Sequence, residues 1–365
     1  MYIWWELFAK STMHCNGGVL MKFKRLQLGL TLVELMISLS LGLLILLAAV
    51  YVILSAQVGS SLQKGMSEVQ DNGNFGLRFL TYELRKANYG QVNIINDRLV
   101  HGGIVLTSAN LPLIPAIAHS AYDSSNISVN IPRNISNTVV VPVSQSAMPS
   151  NIYLLSSGSD GLQKKQGESD QLVMQFYADI PGIDCEGNGY EDDRYIVQRF
   201  FLRKDENANL LKEPHDALVL ACEAGWYNKE SKYILKNLKN RDTLFGSTSG
   251  RILMHRVDHF HYLLGISNDQ NNSKKRYIGI EDYKKLNEYP RPRINSIQIG
   301  LLVRSSENVG WNQTIPSSQE FELLDQKIKL KESNSAVSTK FLRYVITQTI
   351  AIRNGFFEID LAEGM

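Results

Sequence analysis

The chemically most unusual residue in the sequence is Glu34, a carboxylate at the border of a long apolar segment. No Asp, Glu, Lys or Arg occurs between Leu35 and Gln63. A charge at the centre of a membrane helix costs about 2.5 to 3.5 kcal/mol, and a charge nearer the helix end usually has a partner too. If the chain were cut after Gly29, the new α-amino group on Leu30 would lie about one helical turn from Glu34. The spacing therefore predicts an ion pair between that amine and Glu34, within one chain or between neighbouring subunits.

Three cysteines could form a disulfide, depending on the compartment that each occupies. Cys15 precedes the apolar segment, whereas Cys185 and Cys222 follow it at a distance. Their redox state therefore depends on the side of the membrane on which each part of the chain lies.

The histidine cluster at the centre of the chain is a candidate for a metal site. His259 and His261 could share one face of a strand, with His255 nearby, and zinc is a possible ligand of such a group. Apolar residues are interleaved with them, and no convincing fourth ligand lies at a characteristic spacing. We interpret these histidines as half-exposed strand residues.

The other groups that could do chemistry form no recognisable motif. The acids between Glu186 and Asp193 lack the alternation and central glycine of a calcium loop, and they indicate a solvated turn. The segment from Gly246 to Gly250 has Thr where a nucleophile elbow needs Ser. No glycine-rich phosphate loop or dinucleotide-binding fingerprint accompanies them. The sequence predicts no enzyme, no metal and no cofactor.

Composition and charge limit the classes of protein to which the chain can belong. The 365 residues are 44% hydrophobic and 20% charged, which is typical of a folded protein. Lysine and arginine total 38 against 36 acidic residues, giving a net charge of +2. This balance predicts no nucleic-acid partner.

The apolar segment is long enough to cross a membrane once. Its core runs from Leu35 to Ala56, and a helix of that length covers roughly 33 Å against a hydrocarbon layer of roughly 30 Å. It is preceded by three basic residues without a nearby acid, Lys22, Lys24 and Arg25. The positive-inside bias therefore predicts a cytoplasmic N-terminus and an extracytoplasmic chain after Ser60.

The entrance to this segment resembles the processing motif of the prepilin family, with its class III signal peptide. A basic leader ends at Gly29 and is followed by LTLVEL and the long apolar helix. The resemblance implies that prepilin peptidase cuts between Gly29 and Leu30 and methylates the new amine. It also implies that Glu34 registers subunits during assembly. Leu30 replaces the commoner Phe, and the alternative is an uncleaved signal anchor with an acid at its border.

Three further stretches resemble the PilW-like branch of type IV pilus minor prepilins. They are NFGLRFLTYELRKANYG from Asn74, the segments around Cys185 and Cys222, and the closing FLRYVITQTIAIRN. The resemblance implies that Cys185 and Cys222 pair, in agreement with an oxidising compartment. Closing such a loop contributes roughly 4 kcal/mol of stability in the chain-entropy model.

The predicted organisation has three parts. Residues 1–29 form the leader, and within it residues 1–20 fit poorly, so Met21 is the expected true start. Residues 30–90 form a long helix that becomes amphipathic after Ala56 and ends where Asn88, Tyr89 and Gly90 favour a left-handed turn. Gly73 and Gly76 lie on its apolar stripe, where we favour a soft spot over close packing.

Residues 91–365 form the predicted head, in which short β-rich segments of period two predominate. The predicted strands span 138–143, 171–177, 195–203, 217–222, 253–264, 297–303 and 342–352. In the last strand, Tyr344 is expected on the apolar face and Arg343 on the polar face. Residues 107–137, 144–169 and 305–340 are expected to be exposed loops. The predicted fold class is α+β, with a long N-terminal transmembrane and amphipathic helix on an antiparallel sheet.

This resemblance implies a minor pilin that takes part in initiation or at the tip of a type IV pilus. The implied partners are prepilin peptidase, other minor pilins, the major pilin and the inner-membrane assembly platform. The chain would begin in the bacterial inner membrane, with a periplasmic head, and end at the cell surface. The alternatives are a minor pseudopilin of a type II secretion system and a membrane-anchored periplasmic binding module.

Overall fold

A computed structural model describes residues 31–91, 100–106, 130–131, 155–157, 169–207, 217–228, 236–237, 245, 249–267, 275–286, 291–306, 308–309, 320–330 and 341–353. The leader, Gly29 and Leu30, and the strand predicted at 138–143 lie outside these residues. The chain forms two compact units, Met1–Ala56 and Gln57–Met365.

Two helices and fourteen strands make up the described structure. Helix α1 spans Leu32–Leu84 and α2 spans Ile280–Lys285. The strands are β1 (Leu155–Ser157), β2 (Leu172–Ala178), β3 (Gly182–Ile183), β4 (Gly189–Tyr190), β5 (Arg194–Lys204), β6 (Leu218–Asn228), β7 (Lys236–Asn237), β8 (Arg251–His255), β9 (Val257–Ser267), β10 (Lys275–Ile278), β11 (Arg293–Arg304), β12 (Glu320–Leu323), β13 (Gln326–Leu330) and β14 (Arg343–Ala351). The predicted α+β class, with a long apolar N-terminal helix and antiparallel sheets, is confirmed.

The head contains two main antiparallel sheets. One has the order β2-β5-β6-β7, with β8 also paired to β6, and the other has the order β10-β9-β11-β14. Smaller sheets are formed by β1-β13-β12 and by β3-β4. Apolar side chains from α1 and from both main sheets share one buried cluster, which therefore forms the core of the head.

The second half of α1 contributes a buried stripe to this core. Val69, Leu80 and Leu84 are fully buried, as the amphipathic pattern predicts. The α-helix ends at Leu84, and a run of turns follows to Gly90. Asn88 and Gly90 adopt φ values of 63° and 72°, so the predicted left-handed turn is confirmed four residues beyond the helix end.

The two glycines of this stripe serve close packing, and the predicted soft spot is wrong. The helix runs without a break through Gly73 and Gly76. A Cβ atom at Gly73 would lie 2.0 Å from Cδ1 of Ile346, and one at Gly76 would lie 2.3 Å from Cε of Met254. Both glycines therefore let the sheets approach the helix backbone.

The described strands agree with the period-two pattern, with the following differences. The segment predicted at 253–264 is two strands, β8 and β9, separated at Arg256, where φ is 53°. Strand β1 lies within the predicted loop 144–169, and the hairpin β12-β13 lies within the predicted loop 305–340. In β14, Arg343 is buried and Tyr344 is exposed, the reverse of the prediction, because a buried acid pairs with Arg343.

Candidate functional site

The N-terminus of α1 is built by a capping interaction that positions Glu34. The backbone N–H of Glu34 donates to Oγ1 of Thr31 at 3.2 Å, and that of Leu35 donates to the carbonyl oxygen of Thr31 at 3.1 Å. Thr31 to Glu34 is a T-x-x-E sequence, the pattern of a capping box. Sequence reasoning missed Thr31, although this pattern could have revealed it. The cap fixes Glu34 in the first turn, where the helix dipole favours a carboxylate.

The Glu34 side chain is exposed at the start of the helix. Within the described residues, no hydrogen bond or ion pair is found for its carboxylate. Gly29 and Leu30 lie outside the described residues, so the proposed contact with the new amine stays a prediction. The structure brings Thr31 and Glu34 together.

The residues after Glu34 form a helix that is apolar on every side. Its large side chains from Leu35 to Leu54 are about half exposed or more. Among the described elements, α1 is the one helix long and apolar enough to cross a membrane. Such a surface needs lipid or other apolar helices around it.

The C-terminal end of α1 is locked to the head by Glu83. Its carboxylate is buried and accepts two hydrogen bonds of 2.9 Å from Nζ of Lys86. Nε2 of Gln198, on β5, donates to the same carboxylate at 3.0 Å. A buried charge requires such partners, and their geometry fixes the end of the helix against the sheet.

Asn88 extends this attachment beyond the helix. Its Oδ1 accepts a bond of 3.2 Å from the N–H of Gly103, and its own backbone N–H donates to the carbonyl of Gln175 at 3.1 Å. A Cβ atom at Gly103 would lie 2.5 Å from the backbone nitrogen of Asn88. The turn is thus packed against two segments that are remote in sequence.

The predicted disulfide between Cys185 and Cys222 is confirmed. Both residues are fully buried, and their Cα atoms are 6.2 Å apart. The bond ties the β3-β4 hairpin to β6. Asp184 shapes the hairpin turn, because its Oδ1 accepts from the N–H groups of Glu186 and Asn188 at 2.9 and 2.7 Å.

The acids that follow Cys185 do not converge on one point. Oε2 of Glu186 accepts from the backbone N–H of Ala224, and Glu191 pairs with Arg194. In the part of the chain that the structure describes, no group of three or more potential metal ligands occurs.

Two of the three histidines are buried rather than half-exposed, which corrects the prediction. Nδ1 of His261 lies 2.6 Å from Oδ2 of Asp170, and its Nε2 lies 2.7 Å from Oδ1 of Asp325. Burial opposes protonation of His261, but the hydrogen bonds and charges of both carboxylates outweigh it and raise its pKa to about 9. His261 therefore lies between two carboxylates as an imidazolium.

His259 is the neutral neighbour in this cluster. Burial lowers its pKa to about 4. Its Nδ1 lies 3.3 Å from Oγ of Ser169, and its Nε2 lies 3.1 Å from Oε1 of Gln326. The two histidines thus clamp the turn of β12-β13 onto β9, which is a structural role.

A second buried charge cluster explains the orientation of Arg343. Oδ2 of Asp258 accepts from Nε of Arg343 at 2.8 Å, and Oδ1 accepts from Nε of Arg304 at 3.3 Å. All three side chains are buried, so each guanidinium contributes to neutralising the acid.

Comparison with known proteins agrees with the resemblance seen in the sequence. Residues 228–354 match the model of the family described as type IV pilus-assembly protein W, PilW. This match confirms the predicted PilW resemblance and relates the chain to proteins of the type IV pilus. A type IV-like pilin from Thermus thermophilus is a structural neighbour at 11% identity and a TM-score of 0.27, covering 58% of this chain and 85% of that chain. No curated protein matches the chain.

Proposed function

We propose that the chain is a minor pilin of a type IV pilus, cleaved by prepilin peptidase after Gly29 and assembled through Glu34. The observation that carries the proposal is the capped carboxylate at the start of a helix with an apolar surface on every side. The PilW match in the head supports the same assignment independently, because it covers residues far from this motif.

The proposed role is structural. In the bilayer, the apolar part of α1 is stable among lipid tails, and its extraction requires replacement contacts from neighbouring helices. It also requires a partner for Glu34, and the amine created on Leu30 supplies one. The chain would thereby help a small complex begin the filament or form its tip, where a large head is easier to accommodate.

The proposed partners follow from this cycle. Prepilin peptidase acts first, at the cytoplasmic side of the inner membrane. The assembly platform, other minor pilins and the major pilin then receive the processed chain, whose head faces the periplasm and later the cell surface.

Co-expression with prepilin peptidase tests the processing step. We expect a mass decrease that corresponds to removal of the residues up to Gly29, and a methylated amine on Leu30. The matched control is Gly42→Ala, inside the apolar helix, which should be cleaved normally, whereas Gly29→Glu should block cleavage. An unshifted wild-type chain would contradict the proposal and favour a permanently anchored periplasmic module.

The second step is tested by Glu34→Ala in cells that assemble the filament. We expect normal cleavage but loss of incorporation, because the carboxylate is needed after processing. Undiminished incorporation would contradict the assigned role of Glu34. Incorporation into a secretion pseudopilus instead of a pilus would identify the chain as a minor pseudopilin.

A further inference from the structure

The outer side of the last turns of α1 carries a narrow row of exposed side chains. Phe75, Arg78, Tyr82 and Arg85 follow one another at spacings of three, four and three residues. This is the spacing of a straight seam along a helix. Phe75 is 74% exposed and Tyr82 is 63% exposed, although the opposite side of the same turns is buried in the head.

The two arginines of this row have no partner within the described structure. Among the described residues, the side chain of Arg78 has no hydrogen bond, ion pair or ring contact, and Arg85 contributes only its backbone N–H, which donates to the carbonyl of Thr81 at 3.1 Å. That bond continues the helical pattern one residue past Leu84. The row therefore alternates exposed rings with guanidinium groups that have no partner in the described part of the chain, and both kinds of group gain from a partner.

Lys86 restrains one residue of the row, Tyr82. Its Nζ lies 4.7 Å from the ring centroid of Tyr82, and the carboxylate of Glu83 holds this nitrogen at 2.9 Å. The same Nζ donates to the carbonyl of Ile183 at 3.3 Å, next to the disulfide hairpin. Ile183 is 63% exposed, so an apolar side chain lies at the surface next to the residue that accepts from Lys86. A preorganised surface loses little conformational entropy when it binds.

We propose that this row binds an α-helix of a different subunit, which carries two carboxylates seven residues apart with apolar side chains between them. Arg78 and Arg85 are themselves seven residues apart, about 10.5 Å along the axis, so carboxylates with that spacing face both guanidinium groups. Apolar side chains between the carboxylates then cover the ring of Tyr82. The inference rests on the proposed function only in identifying the partner as another pilus subunit.

The described α1 helix of a second copy does not meet this requirement. The exposed acid on the same row of its own α1 is Asp71. Asp71 of one copy can face Arg78 or Arg85 of the other, but it cannot face both. Placing it at Arg78 in parallel packing brings Arg78 against Arg85, and placing it at Arg85 in antiparallel packing brings Arg78 against Arg78. Like charges in contact oppose each of these arrangements.

The remaining acid on the row, Glu68, is already engaged. It is half-buried, and its Oε2 accepts from the backbone N–H of Ser306 at 3.3 Å. A helix with its own pair of acids is therefore the occupant that fits the charge pattern.

Photo-crosslinking in cells that assemble the filament tests this inference. The full-length chain carries p-benzoylphenylalanine in place of Tyr82 or of Phe75, and the adducts are mapped by mass spectrometry. We expect an adduct with a different subunit, on a helical segment that contains two acids seven residues apart. Arg78→Glu and Arg85→Glu should each reduce its yield by about tenfold. Arg276→Glu, at an exposed arginine on β10, is the matched control and should leave the yield unchanged.

Several outcomes would overturn the inference. An adduct with a second copy, or with a segment that lacks the acid pair, would do so. The absence of an adduct at both positions would also do so, as would an adduct yield that neither charge reversal changes. Leader cleavage is measured in the same cells. A cleaved chain without the adduct rejects only the docking surface, whereas an uncleaved chain that still forms it rejects only the proposed function.

Discussion

The two parts of α1 differ in what surrounds their apolar side chains. From Leu32 to Ala56 the helix exposes apolar residues on all sides, and it forms a unit separate from the head. From Gln57 to Leu84 the same helix is one-sided, with a buried stripe that packs into the head. The comparison teaches that one continuous helix can be stabilised by lipid or other helices in one part and by its own sheets in the other.

Truncating one leucine in each part of α1 is expected to give the largest difference in the stability of the head. Leu80→Ala should lower the free energy of unfolding of the head by about 2 to 5 kcal/mol, because Leu80 is fully buried in the core. Leu44→Ala, in the exposed part, should leave it unchanged. Chemical denaturation of the full chain in detergent measures both, and equal losses would show that the two parts are not distinct.

The disulfide should contribute the next largest effect. Replacing Cys185 and Cys222 together by serine should cost about 2 to 4 kcal/mol, since the bond closes a separation of 37 residues. The same denaturation measurement with and without a reductant checks this value. The helicity of the apolar part, followed by circular dichroism, should not change. A double variant as stable as the wild type would contradict the assigned role of the bond.

The two parts of α1 also differ in what surrounds their glycines. Gly76→Leu should destabilise the head by about 1 to 3 kcal/mol, because a Cβ atom there meets three atoms of the buried Met254 at 2.3 to 3.1 Å. Gly59→Leu is the matched control, since nothing lies within 4 Å of a Cβ atom there. It should be neutral or stabilising by up to roughly 1 kcal/mol, because leucine favours helix. A neutral Gly76→Leu would argue against close packing.

A pH dependence of stability is also expected in the head. His261 has a raised pKa of about 9, so its contribution is complete below the unfolded value of about 6.5 and is lost as the pH rises through 9. His259 has a lowered pKa of about 4, so its contribution is complete above about 6.5 and is lost as the pH falls toward 4. Stability should therefore be greatest near pH 6.5 and should fall on both sides of it.

Two variants test the alkaline and the acidic limb of this pH profile separately. His261→Gln should flatten the alkaline limb, and His259→Gln should flatten the acidic limb contributed by that residue. The measurement is the denaturation midpoint between pH 5 and pH 10. An unchanged alkaline limb in His261→Gln would mean that the imidazolium does not stabilise the hairpin.

The long strands could be predicted from sequence, because alternating apolar residues report directly on a half-buried strand. The strands β2, β5 and β11 lie close to their predicted positions. The alternating pattern does not indicate whether a polar residue pairs with a residue that is distant in the chain. Asp170 is separated from His261 by 91 residues and Asp258 from Arg343 by 85, so both histidine burial and the face of Arg343 were predicted wrongly.

The local sequence pattern identified the candidate site at the start of α1, but it did not identify the exposed row at the end of the helix. Gly29 and Glu34 stand out because an acid beside an apolar run is unusual in any sequence. The row from Phe75 to Arg85 does not stand out, because exposed and buried faces of an amphipathic helix can be told apart only when the sheets are in place.

The sequence by itself determined the apolar helix, its acidic beginning, the β-rich head and the resemblance to PilW, since each depends on residues close together in the chain. The tertiary structure alone decided which glycines touch the sheets, which histidines are buried and which side of the helix stays open. The physical reason is that packing and charge pairing depend on neighbours in space, and these come from segments that are remote in sequence.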